Sequence, residues 1–271
     1  MIEKLMNIDR RYVFILVALA VIIPSLLEVN LPITISQPTR STYDYIEDLA
    51  PGSTLMIGFN YGPSSLAELH PMAKAVIYHC FEKKIRVIGM TLLAEGATLG
   101  DEMLKDVAAE AEAVYGEDYV YLGFRPGATQ VLLGMGTAID SVFESDYAET
   151  PLAELPMMAD IKNYEQIDLV LDLASGSSTE WWITYTNTRY NQQIAAGVTG
   201  VIVSQMYPYL QTKQLIGLMP GLLGAAEYES LIGRPAKGTE GMSIQSFAHL
   251  LVFGLVVLGN IAFFIQRRQA E

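Results

Sequence analysis

Apolar positions along the chain follow three regimes. Near each end lies one long run without charge, residues 12–27 (YVFILVALAVIIPSLL) and 247–265 (FAHLLVFGLVVLGNIAFFI). Between them, short apolar runs alternate with amphipathic stretches. The runs 53–59 (STLMIGF), 85–93 (IRVIGMTLL), 119–124 (YVYLGF) and 167–174 (IDLVLDLA), with a fifth at 193–197, predict strands bounded by Gly, Pro and Asn. Residues 65–83, 98–115, 180–190 and most of 207–232, broken at Pro220-Gly221, predict helices. Ser65 with Glu68 and Ser177 with Glu180 have capping-box spacing. Thr150-Pro151 reads as a cap followed by proline at the first helical position. Residues 129–143 fit either a strand or a helix, and 32–49 fit a linker with room for a first short helix.

Strands alternating with helices predict an α/β fold, a mainly parallel Rossmann-like sheet of about five strands. Near-continuous apolar strands imply helices on both faces. The charge-free runs add an N-terminal and a C-terminal transmembrane helix. The organisation expected is an anchor over 1–28, one α/β domain over 29–240, and a second span with a short basic tail over 241–271.

Composition sharpens the membrane reading. The mean hydropathy is +0.28, high for a wholly water-soluble chain. A bilayer core takes about 20 helical residues, and 247–265 is of that order. No small-x-small cleavage site follows 12–27, which predicts an uncleaved anchor. Lys4, Arg10 and Arg11 precede the first run, and Arg267 and Arg268 follow the second. The positive-inside rule then puts both termini in the cytoplasm and the domain on the extracytoplasmic side of the cytoplasmic membrane. Residues 31–245 hold 26 acidic side chains against 12 Lys and Arg, and the whole chain carries −13. Such a surface repels phosphate backbones, so nucleic acid is not an expected partner. The expected partners are membrane lipid and either further copies of the chain or another membrane protein.

The stretches AELHPMAKAVIYHCF, IRVIGMTLL and YPYLQTKQLIGLMPGLLGAAEYE resemble those of a group of uncharacterised prokaryotic two-span membrane proteins with one α/β domain between the spans. The resemblance extends over nearly the whole chain. It implies that architecture and carries no activity, ligand or functional residue.

Candidate chemistry follows from the topology. Open parallel sheets bind ligands beyond the carboxyl ends of their strands. Residues placed there include Asn60, Arg125 and the turn Ser175, Gly176, Ser177 and Ser178. A cradle of backbone N–H groups at that turn, with Arg125 as counter-charge, would suit an anion. Strand-to-helix loops also hold Ser and Gly because turns and caps demand them. In the second apolar run, Gly254 and Gly259 offer close approach to another helix, and Asn260 offers either a hydrogen bond across helices or an interfacial position.

Several chemistries lack their residues. GMGTAI at 134–139 has Ile139 where a dinucleotide fingerprint has its third glycine, and there is no Walker A motif and no G-x-S-x-G elbow. His70 and His79 are nine apart and read as surface residues, Glu227 and Glu229 as a solvated helix face, and Cys80 as a small buried hydrophobe. No metal site, cofactor or catalytic group is expected. Three functions remain: a non-enzymatic structural or assembly subunit of an oligomeric membrane complex, an extracytoplasmic small-molecule or anion-binding sensory domain, and a serine-type hydrolase using Ser177 or Ser178.

Overall fold

A computed structural model describes residues 9–27 and 31–270. Lys4 and the expected boundary between residues 28 and 29 lie outside the described residues. The chain divides into two units, residues 33–238 and the terminal segments 1–32 with 239–271.

The larger unit is a parallel sheet of six strands: β1 (Thr54–Asn60), β2 (Arg86–Thr91), β3 (Tyr119–Phe124), β4 (Leu169–Ala174), β5 (Ile194–Val198) and β6 (Gly217–Pro220). Their order is β3-β2-β1-β4-β5-β6, all parallel. The order reverses between β1 and β4, which makes that pair the topological switch point of a Rossmann-like sheet. The helices of this unit, in chain order after the terminal helix α1 (Arg10–Leu26), are α2 (Gln37–Glu47), α3 (Leu66–Glu82), α4 (Ala97–Ala111), α5 (Ala128–Met135), α6 (Ile139–Val142), α7 (Ser178–Trp182), α8 (Thr188–Tyr190), α9 (Val203–Gln211) and α10 (Gly221–Leu231). A π turn, Ile183–Asn187, joins α7 to α8.

Burial explains the apolar runs. Every residue of β1, β4 and β5 is buried, so these strands carry no outward polar alternation. Alternate residues feed two cores. Leu55, Ile57 and Phe59 pack with Leu69, Met72, Val76 and Tyr228 on one face. Met56, Ile88 and Val170 pack with Leu132, Phe143 and Trp182 on the other.

Three expectations change. The sheet has six strands, because the stretch expected to be helical with a break contains α9, β6 and α10 in succession. Four residues suffice for β6 because α2 covers the edge strand, with Thr39 Oγ1 donating to Leu218 O at 3.4 Å. Residues 129–143 resolve as parts of α5 and α6. Thr150-Pro151 starts only a single 3-10 turn, Leu152–Glu154.

The smaller unit contains α1 (Arg10–Leu26) and most of α11 (Lys237–Ala270). Residues Lys237–Arg267 form a helix long and apolar enough to cross a membrane, and among the described residues it is the one such helix. It leaves Leu250 at 68%, Phe253 at 67% and Phe264 at 61% exposure, an outward apolar surface suited to hydrocarbon rather than water. Where the first span is expected, the described residues form a helix of 17 residues, about 26 Å at 1.5 Å per residue and short of a ~30 Å core, so the expected pair of spans is not found.

Candidate functional site

The switch point brings a buried acid to the middle of the sheet. Asp172 lies on β4 with no exposure. Asn60 Nδ2, at the end of β1, donates to its Oδ1 at 2.5 Å. Ser178 Oγ and Thr179 Oγ1, from the first turn of α7, donate to Oδ2 at 2.8 and 2.7 Å. Asn60 also fixes the end of β2, since Leu92 N donates to Asn60 Oδ1 at 2.6 Å. The acid therefore ties β1, β4, α7 and, through Asn60, β2. Gly58 permits this closeness: a Cβ there would lie 2.8 Å from Asn60 Nδ2 and 2.9 Å from Asp172 Oδ1. Burial lifts the Asp172 carboxyl to about 6, against the opposing pull of Thr179, Asn60, Ser178 and the neighbouring Trp182 indole.

This network lies inside the sheet at the switch point, beneath the rim beyond which a sheet of this order takes a ligand. The turn beyond it folds back on β1, with Ser175 N donating to Asn60 O at 3.1 Å and Ser175 Oγ to the same oxygen at 3.4 Å. Gly176 and Ser177 are exposed, and Ser178 is buried with its hydroxyl committed to Asp172. The Ser177–Glu180 capping box is not formed, because Ser177 makes no side-chain cap bond and the hydroxyls that follow it turn inward to the acid. The Ser65–Glu68 box is also absent: Glu68 Oε2 instead accepts Gly200 N at 2.7 Å across the rim.

Arg125 does not join the turn. It follows β3, three strand spacings or about 14 Å from β4. Its guanidinium lies over the Phe143 ring, 5.5 Å from the centroid. The anion cradle thus lacks the counter-charge expected of it, and a rim N–H that could have met an anion is taken by the Glu68 carboxylate. Arg125→Ala is expected to cost no more than about 1 kcal/mol, the scale of a half-exposed cation–π contact. Denaturant titration checks this, and a loss above 2 kcal/mol would reveal a partner that the ring stacking does not explain.

A second constellation escaped the sequence reading and lies on α10. Glu227 and Glu229 are buried, not solvated. Glu227 Oε1 accepts Ser36 N at 3.0 Å and Oε2 accepts Ser36 Oγ at 2.7 Å, where the chain comes into the larger unit. Glu229 Oε1 accepts Gly238 N and Oε2 accepts Ala236 N, both at 2.8 Å, where the chain goes out. Gly238 sits tightly on α10, where a Cβ would lie 2.9 Å from that of Ala225. Two carboxylates two residues apart thus hold both leads of the unit on one buried helix.

Tyr228, between them, is fully buried and reads a third group. Its hydroxyl is 2.8 Å from His79 Nδ1, and His79 Nε2 is 2.8 Å from Glu47 Oε2. Lys83 Nζ donates to Glu47 Oε1 at 3.1 Å, and Tyr43 stacks on the imidazole with centroids 4.9 Å apart. His79 is therefore a core residue, contrary to its surface expectation: α2, α3 and α10 converge on it. His70 is half-buried and pairs with Tyr61 at 3.2 Å. Cys80 is buried, and burial pushes its thiol up, away from reactivity.

In the terminal helix, a Cβ on Gly254 or Gly259 would meet nothing within 4 Å. Asn260 Nδ2 donates to Val256 O at 2.8 Å within its own helix. Comparison of the chain with family models, curated proteins and solved structures gives no match, so its function is read from this geometry alone.

Proposed function

We propose that the chain is a non-enzymatic, membrane-anchored structural or assembly subunit, a Rossmann-like domain built into an oligomeric complex. One observation carries this reading: Glu227 and Glu229 hold the incoming and outgoing leads on the same buried helix. A tethered enzyme or receptor needs only a flexible leash, whereas a part that must present one face to neighbours needs fixed leads. In this reading α1 is a second span, both termini are cytoplasmic and the acidic domain is extracytoplasmic, the architecture of the two-span group that the sequence resembles.

Extraction in mild detergent followed by size measurement tests it. The expected result is a particle of several subunits, with or without a second protein. A monodisperse monomer with no companion would sink the proposal. Fluorescent-protein fusions at each terminus test the orientation, and a dark fusion at either end contradicts it.

A second reading, a small-molecule or anion-binding domain, is favoured by a groove of about 520 Å³ lined by Gln37, Ser41, Gln193, Lys213, Leu215 and Ile216. That volume lies within the range of ligand sites. Thermal shifts with carboxylate-bearing metabolites that vanish in Lys213→Ala would favour it over assembly.

A further inference from the structure

We infer that His79 is a proton-operated latch: taking up a proton at its imidazole loosens α10 from α3 and releases the two leads that Glu227 and Glu229 hold. The inference stands on the cluster and does not depend on what the domain assembles with. In the neutral state one arrangement satisfies every group. Tyr228 O–H donates to His79 Nδ1, and Nε2–H donates to Glu47. A proton on Nδ1 makes both ring nitrogens donors. Nδ1–H then meets the hydroxyl that was donating to it, and the Tyr228 proton must turn away. The Tyr228 hydroxyl has no other hydrogen bond among the described residues, and its side chain has no exposure. An unmatched donor in that setting is costly, and the nearest relief is water entering between α3 and α10. Glu227 and Glu229 flank Tyr228 on α10, so movement there reaches Ser36, Ala236 and Gly238 directly.

The charges facing the ring set the threshold. From α2 come Glu47, which shares its other oxygen with Lys83, the stacked Tyr43, and Asp44 and Arg40 near that phenol. From α3 and its end come Glu82, Lys83 and the buried Cys80, and from α10 comes Tyr228. Burial lowers the proton affinity of His79 below the ordinary histidine range, and Glu47 opposes it as the main counter-charge. The folded ring thus holds fewer protons than the unfolded one below the ordinary value of 6.5. The cost of this grows as pH falls through that value, so the latch opens on the acid side.

Hydrogen–deuterium exchange on the full chain in detergent, corrected for the intrinsic pH dependence of exchange, reads the leads directly. Protection at Ser36, Ala236 and Gly238 is expected to fall severalfold between neutral pH and about pH 5. His79→Gln keeps an acceptor and a donor but binds no proton, and should abolish this step. Glu47→Gln keeps an acceptor for Nε2 but removes the counter-charge, and should move the midpoint to lower pH. Equal protection across the range overturns the inference. So does an unchanged midpoint in His79→Gln, which would assign the step to Glu227 and Glu229 themselves. If His79→Gln fails to fold, Glu47→Gln decides, and a midpoint identical to the parent overturns it.

Discussion

Replacing Asp172 by alanine is expected to lower the unfolding free energy by about 3 kcal/mol at neutral pH, and by more at pH 5. The carboxylate accepts from Asn60, Ser178 and Thr179. Each buried donor left without a partner costs about 1–3 kcal/mol. Against that sum stands the cost of the ionised carboxyl itself, raised from 3.8 to about 6, or roughly 3 kcal/mol at neutral pH. The sign in pH follows. A carboxyl whose folded value is raised binds more protons in the folded state between 3.8 and about 6, so its contribution to stability grows as pH falls through that window. Alanine removes that gain, and the gap between parent and variant widens toward acid. Asparagine should cost about 1 kcal/mol or less, the worth of one neutral hydrogen bond. Its carbonyl can take the Asn60 amide, while its own amide donates to hydroxyls of Ser178 and Thr179 that are free to turn. Asp172→Asn should also lose the acid-side gain. Denaturant titrations of the three proteins at pH 5 and pH 7 check both statements. An alanine variant within 1 kcal/mol of the parent would remove the network from its place as the tie of the switch point.

Five of the six strands are legible because burial on both faces leaves near-continuous apolar runs bounded by turn residues. β6 is hidden because GLMP is short, lacks β-branched residues and ends in proline, which a strand end at the edge of a sheet tolerates. α2 falls where the sequence left room for a short helix, but its bounds are not legible: QPTRSTYDYIE is mostly polar and buries only Thr39, Thr42 and Ile46. The Asp172 network left a usable signal, an acid inside the apolar run LVLDLA, since a charge in a doubly covered strand must find partners. The roles of Glu227 and Glu229 left a weaker one. α10 shows no apolar stripe, but Gly221, Gly224, Ala225 and Ala226 mark a helix approached closely from several sides, where a carboxylate cannot face water. His79 gave no warning, because its neighbours Glu47 and Tyr228 lie 32 and 149 residues away.

The two α10 carboxylates differ in what they can tolerate, and that difference tests the mount. Glu229 receives two backbone N–H groups, Ala236 and Gly238, one on each oxygen. Glutamine there sets an amide N–H₂ against one fixed donor, so Glu229→Gln should be about as damaging as Glu229→Ala, roughly 1.5–3 kcal/mol, the range for charge-assisted bonds. Glu227 receives one backbone N–H and one hydroxyl, both from Ser36. A hydroxyl can turn and accept, so Glu227→Gln should recover most of what Glu227→Ala loses, while Ser36→Ala in the glutamine background should cancel the recovery. The double variant Glu227→Ala/Glu229→Ala is expected to lose about 3–5 kcal/mol, because two separate leads are released and their costs nearly add. Its assembly should fail before its fold does: at temperatures where far-ultraviolet circular dichroism still reports native sheet and helix, the detergent-extracted particle should already have dissociated. If the double variant keeps the parent's particle size up to its own unfolding, the leads do not carry the assembly. Equal behaviour of the two glutamine variants would show that the carboxylates act as charges alone rather than through the bonds seen on each oxygen.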